Sequence, residues 1–131
     1  MMQVLQPPGW PRPHGYANGI AASGRLVFTA GVVGWDENDY FTSDHLPGQF
    51  AQVLRNILAI LQEGGAGPEH LVRLTCYVTS IDDYLRSTEE IGRHWRDIVG
   101  AHYPAMALIE VSRLVEPNCL IEIEATAVVP E

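Results

Sequence analysis

The sequence predicts an α/β (α+β) domain in which one sheet, of element order ββαβαββ, carries both helices on a single face. Two segments repeat apolar residues at the helical period, five alternate at a period of two, and Gly, Pro, Asn and Ser clusters separate them. The last two strands are apolar on both faces. A sheet with helices on one side has no use for Leu, Met and Val on the other, so the outer face expects a second covering layer. In a chain of 131 residues that layer is expected to be another subunit.

Residues 1–15 hold Pro7, Pro8, Pro11 and Pro13 and read as an extended, non-helical lead-in. Segments 16–22 and 25–33 read as strands joined in a hairpin at Ser23-Gly24. A polar loop follows from Gly34 to Pro47. Phe50, Val53, Leu54, Ile57, Leu58 and Leu61 then form a helical stripe that stops at Gly64-Gly65. From Leu71 to Thr79 the pattern alternates, with Val72, Leu74, Cys76 and Val78 together. Ser80-Ile-Asp-Asp reads as a helix cap with acids in the first turn, opening a second stripe of Tyr84, Leu85, Ile91, Trp95, Ile98 and Val99. Pro104 introduces the two terminal strands, turned at Glu116-Pro-Asn118.

One domain over 1–131 is expected, burying about two-thirds of its unfolded-chain surface. The net charge of −8 repels phosphate backbones, so no nucleic-acid partner is expected. Cys76 and Cys119 sit in apolar strand patterns and read as buried thiols. No segment reaches the roughly 18 apolar residues of a membrane span, and a basic-then-apolar leader is missing; a cytoplasmic protein is expected. The five histidines show no metal-ligand spacing. Asp36-Glu-Asn-Asp-Tyr40 starts like a calcium loop but has Tyr at its fifth position and lacks the glycine, so no metal is expected.

Glu122 and Glu124 are the candidates for chemistry. At i and i+2 on a strand they share a face, about 7 Å apart. Covered by a neighbouring subunit, such a carboxylate is desolvated toward its protonated form and suits general acid/base work on a water. Pairing with arginines or backbone amides at an interface is the alternative. Gly31 interrupts a strand, as a bulge or as a backbone N–H approached by a ligand. Tyr16 either closes a pocket or fills the hairpin edge, and Trp35 either lines a cleft or packs under its loop.

Together Gly15-Tyr16, Leu26-Val-Phe-Thr-Ala-Gly31, Gln52-Val-Leu-x-Asn56-Ile with Leu61 and Gly64, Tyr77-Val-Thr79, Tyr103-Pro-Ala105 and Ile121-Glu-Ile-Glu-Ala-Thr-Ala127 resemble the Rid (YjgF-like) reactive intermediate deaminases over about residues 14–129. The resemblance implies a chorismate-mutase-like subunit in a homotrimer with ligand clefts between subunits. It implies cofactor-free hydrolysis of enamines or imines to ammonia and a ketone. Glu122 matches the glutamate that handles the water, Gly31 the backbone contact, and Tyr16 the aromatic at the cleft mouth. The chain departs from the pattern at Met106, where the deaminase branch has a carboxylate-gripping arginine, and Ala107 follows it. Ala30 stands for a common serine and Val32 for a common glutamine. The expected substrate is therefore a more apolar metabolite held by Met106, Leu108 and Trp35, with Glu122 as acid/base. A non-catalytic ligand-binding or regulatory protein is the second expectation, and the charge opposes a ribonuclease role.

Overall fold

The computed structural model describes residues 2–131. Its strands are β1 (Met2–Leu5), β2 (Gly19–Ala22), β3 (Arg25–Phe28), β4 (Val32–Val33), β5 (Leu71–Val78), β6 (Ala105–Glu110) and β7 (Ile121–Val129). Its helices are α1 (Leu46–Glu63), α2 (Ile81–Arg86) and α3 (Thr88–Ile98). The main sheet runs β3-β7-β5-β6, with β4 continuing β3 along β7. Only β5 and β6 are parallel, and β7, last in the chain, sits between β3 and β5.

The first helical stripe makes α1. Phe50, Val53, Leu54, Ile57 and Leu61 are all buried against the sheet, each contributing about 1.5–3 kcal/mol relative to exposure. Gly65 takes φ 78°, and the N–H groups of Gly65 and Ala66 return to the carbonyls of Gln62 and Leu61 at 3.0 and 2.9 Å. That Schellman closure is what two consecutive glycines permit. Ser80 caps α2 by accepting from the Asp83 N–H at 3.0 Å. The second stripe is split in two, because Ser87 (φ −111°, ψ 9°) leaves the helical path between α2 and α3. Ile91, Trp95 and Val99 are buried, whereas Leu85, which the stripe included, points to solvent.

Three local expectations are corrected. Strands β2 and β3 do not form a hairpin: β2 pairs with β1, inside the expected lead-in, and β3 pairs with β7. Gly24, at φ 144°, lies so close to the Val129 carbonyl that a Cβ there would overlap it, and the chain turns a corner rather than a tight hairpin. In β5 a register shift between Leu71 and Arg73 turns Leu71 inward in place of Val72. In β6, Met106 stands opposite Leu74 and Leu108 opposite Cys76. Both therefore face the helices, and Ala107 and Ile109 face outward.

Candidate functional site

The outer sheet face is assembled from every second residue of four strands. Ile123 and Ala125 of β7 are buried under the helices, which turns Glu122 and Glu124 outward. Glu122 stands opposite Tyr77 and Val33, and Glu124 opposite Thr75. The Tyr77 hydroxyl donates to Glu124 Oε1 at 2.9 Å. That hydrogen bond is the main reason the phenol holds its proton above the usual tyrosine range. Arg73, two residues before Thr75 on the same strand face, completes a polar row with Tyr77.

Gly31 sets the position of Glu122. Thr29 still pairs with Ala125: its N–H donates to the Ala125 carbonyl at 2.9 Å and its Oγ1 accepts from the Ala125 N–H at 3.0 Å. Val32 then pairs with Ile123. Ala30 and Gly31 together thus oppose Glu124 alone, which is a β-bulge. A Cβ built on Gly31 would overlap the Glu122 carboxylate. Of the two readings the glycine allowed, the bulge is realised, and it brings backbone and carboxylate into contact.

The remaining expected site residues are scattered. Val32 enters the core beneath the helices, and Ala30 stays on the bulge. Trp35 packs on Phe41 inside its own loop, ring centroids 5.9 Å apart, and its carbonyl accepts from Asn56 Nδ2 at 2.8 Å. Asp36 closes that loop by accepting from the N–H groups of Asn38 and Tyr40 at 2.8 and 3.1 Å, so the calcium-like run is a self-bonded turn. Tyr16 lines a cavity of about 450 Å³ with Arg12 and His102. Met106 lines a different cavity, of about 420 Å³, between α3 and the lead-in. Within the chain, Met106 and Glu122 lie on opposite faces of the sheet. The two neighbours of Met106, Ala105 and Ala107, pair with Arg73 and Thr75 and share the face of Glu122.

Tyr77, named only within the Tyr77-Val-Thr79 stretch, and Arg73 were given no site role from the sequence. The signal was present, since Arg73, Thr75 and Tyr77 alternate with Leu74, Cys76 and Val78. Only the register shows that Tyr77 faces Glu122. Gln49 also escaped notice: fully buried in α1, it donates to the Ser43 and Asn118 carbonyls and accepts from the Leu120 N–H at 2.8 Å. It ties the loop before α1 to the loop before β7. Among the described residues no cluster of three His, Cys, Asp or Glu side chains converges to hold a metal, and no helix is long and apolar enough to cross a membrane.

The fold recurs in known proteins. The family model described as Endoribonuclease L-PSP matches residues 11–129. A RutC family protein of Synechocystis is 34% identical over 132 residues, covering 98% of both chains. YyfB of Yersinia pestis, from the conserved Rid protein family, aligns over 98% of both chains at 32% identity with a TM-score of 0.85. The chain belongs to the Rid/YjgF family. Rv2704 of Mycobacterium tuberculosis, a member of the YjgF/YER057c/UK114 family, is 32% identical with a TM-score of 0.67, over 88% of this chain and 87% of its own. The mixed α/β fold is thus shared with its Rid/YjgF neighbours.

Proposed function

We propose that this Rid/YjgF chain hydrolyses small enamines, imines or related reactive metabolites without a cofactor. It would do so in clefts between the subunits of a homotrimer joined through the outer sheet face. The observation that carries this reading is the Glu122 carboxylate resting on the Gly31 bulge, on a sheet face that Leu26 and Phe28 leave apolar and exposed. Glu122 takes a proton from a water as its oxygen adds to the imine carbon. It passes that proton to the nitrogen to give a carbinolamine; the second water proton then passes from the new hydroxyl to the nitrogen as the C–N bond breaks, releasing ammonia and leaving a ketone. Gly31 keeps room for the carboxylate and presents backbone to the substrate. Because Met106 faces the helices of its own chain, it bears on the Glu122 of a neighbouring subunit; in place of a guanidinium it shifts the substrate range toward less anionic or bulkier molecules.

The test is ammonia release from a panel of imines. Glu122→Gln keeps the shape and removes the proton carrier, so turnover falls by about 10²–10⁴. Turnover equal to that of the unaltered protein on every accepted imine would sink the mechanism. A second reading, a ligand-binding or regulatory protein without chemistry, is favoured by Met106 itself, since the usual anchor is missing. Saturable binding of imine analogues with no ammonia release selects it. The family model's description names an endoribonuclease; the net charge of −8 works against an RNA substrate.

A further inference from the structure

We infer that Tyr77 is a positioning residue of the outer face: its hydroxyl anchors Glu124, which keeps the second carboxylate off Glu122 and leaves Glu122 free to carry the proton. Glu122 as proton carrier rests on the hydrolase reading above; the device that keeps it free goes beyond that reading. Glu122 and Glu124 stand at i and i+2 on β7, so they leave the sheet on one face with Cα atoms about 7 Å apart. Glutamate side chains are long enough to close that gap. Two unanchored carboxylates so placed compete for one proton or one water, and neither is then a free carrier.

In this chain the two diverge. Glu122 leans toward β4, where its carboxylate fills the space beside Gly31 that a Cβ would need. Glu124 turns the other way, toward β5, and accepts the Tyr77 hydroxyl on Oε1 at 2.9 Å. The contact is diagonal, because Tyr77 is the register partner of Glu122 and Thr75 is the partner of Glu124. The Tyr77 side chain therefore starts beside Glu122 and crosses to Glu124, so one residue borders both carboxylates. No cation replaces it: the ion pairs among the described residues, His45–Asp44, Arg86–Asp83 and His94–Glu90, include neither glutamate. Arg73 lies in the same row, close enough for its charge to act on Tyr77. The strands on either side contribute Val33, Ala107 and Ile109, none of them titratable.

The phenol is also a lasting donor. Its hydrogen bond to Glu124 first, then some loss of hydration and the charges of Glu124 and Glu122, hold its proton above the usual tyrosine range, against the charge of Arg73. Tyr77 thus orients a carboxylate and does not shuttle a proton at the pH values where a carboxylate does.

The experiment follows the Glu122 carboxyl carbon by NMR through a pH titration of the intact protein labelled with carbon-13 glutamate, the signal being assigned with Glu122→Gln. In Tyr77→Phe the released Glu124 can approach Glu122, and the Glu122 midpoint should rise by roughly 0.5 pH unit, as expected when a like charge moves from about 7 to about 4 Å at a wet surface. Glu124→Gln removes that charge and should lower the midpoint. Adding Tyr77→Phe to Glu124→Gln should move it no further, because Tyr77 acts through the Glu124 charge. The acidic limb of the ammonia-release profile should follow the same order. A midpoint unmoved by Tyr77→Phe, or moved equally in the Glu124→Gln background, overturns the assignment. So does a rate lowered by the same factor at every pH, which marks a merely structural role. If no imine is hydrolysed, the hydrolase reading fails while the NMR titration still decides the positioning, so the two fail separately.

Discussion

On the helix face of the sheet Leu74, Val78, Ile121 and Ile123 are completely buried, whereas one residue along the same strands Tyr77, Glu122 and Glu124 keep access to solvent. The inner face is saturated: its side chains meet α1 and α3, and little polar chemistry is left there to perform. The outer face is unfinished, combining exposed Leu26 and Phe28 with a carboxylate pair, a phenol and Arg73. A strand period of two lets one stretch of backbone do both jobs, folding with one set of alternate residues and presenting chemistry with the other.

The comparison breaks or sharpens through five changes. Ile123→Ala should cost about 2–5 kcal/mol in denaturant unfolding. Phe28→Glu on the outer face should leave the chain's unfolding within about 1 kcal/mol while, for the proposed trimer, lowering the particle mass seen by light scattering. Equal destabilisation by the two would erase the distinction between faces. Gly31→Ala should cost about 1–3 kcal/mol through overpacking and, by displacing Glu122, remove more activity than stability; an unchanged rate would separate the bulge from the chemistry.

The buried thiols supply a pH arm. Burial pushes Cys76 from 9.0 up to about 12 and Cys119 from 9.0 up to about 11. The unfolded chain therefore loses these protons first. The stabilisation is fully present below pH 9 and drains away as pH rises toward the folded values, by about 1.4 kcal/mol per pH unit per thiol. Denaturant midpoints from pH 8 to 11 should fall less steeply in Cys76→Ala, and an identical slope contradicts the burial of this thiol. Tyr77→Phe, which removes only an exposed hydrogen bond to Glu124, should shift stability by less than about 1 kcal/mol.

Most inner-face residues were legible in the sequence, because burial writes itself as period. The α1 stripe, the Ser80 cap and the β7 alternation all appear where the pattern places them. What period does not carry is which face of one strand continues which face of the next. Met106 and Leu108 alternate correctly within β6, yet only the pairing of Leu108 and Ile123 with Cys76 assigns them to the helix side. The bulge at Val72 and the corner at Gly24 are likewise set by distant backbone, the latter by Val129. The Glu122–Gly31 contact was foreshadowed by residue type and delivered by register.

The position of β7 has a consequence for how the protein is made. Strands β3, β4 and β5 all take β7 as partner, and β3 has no other within the sheet. During synthesis β3, β4 and the edge of β5 away from β6 have no partner in the sheet until the segment ending at Val129 has emerged from the ribosome. A nascent chain stalled before Ile121 would hold helices but no closed sheet, and its exposed strand edges would be open to chaperones and to one another.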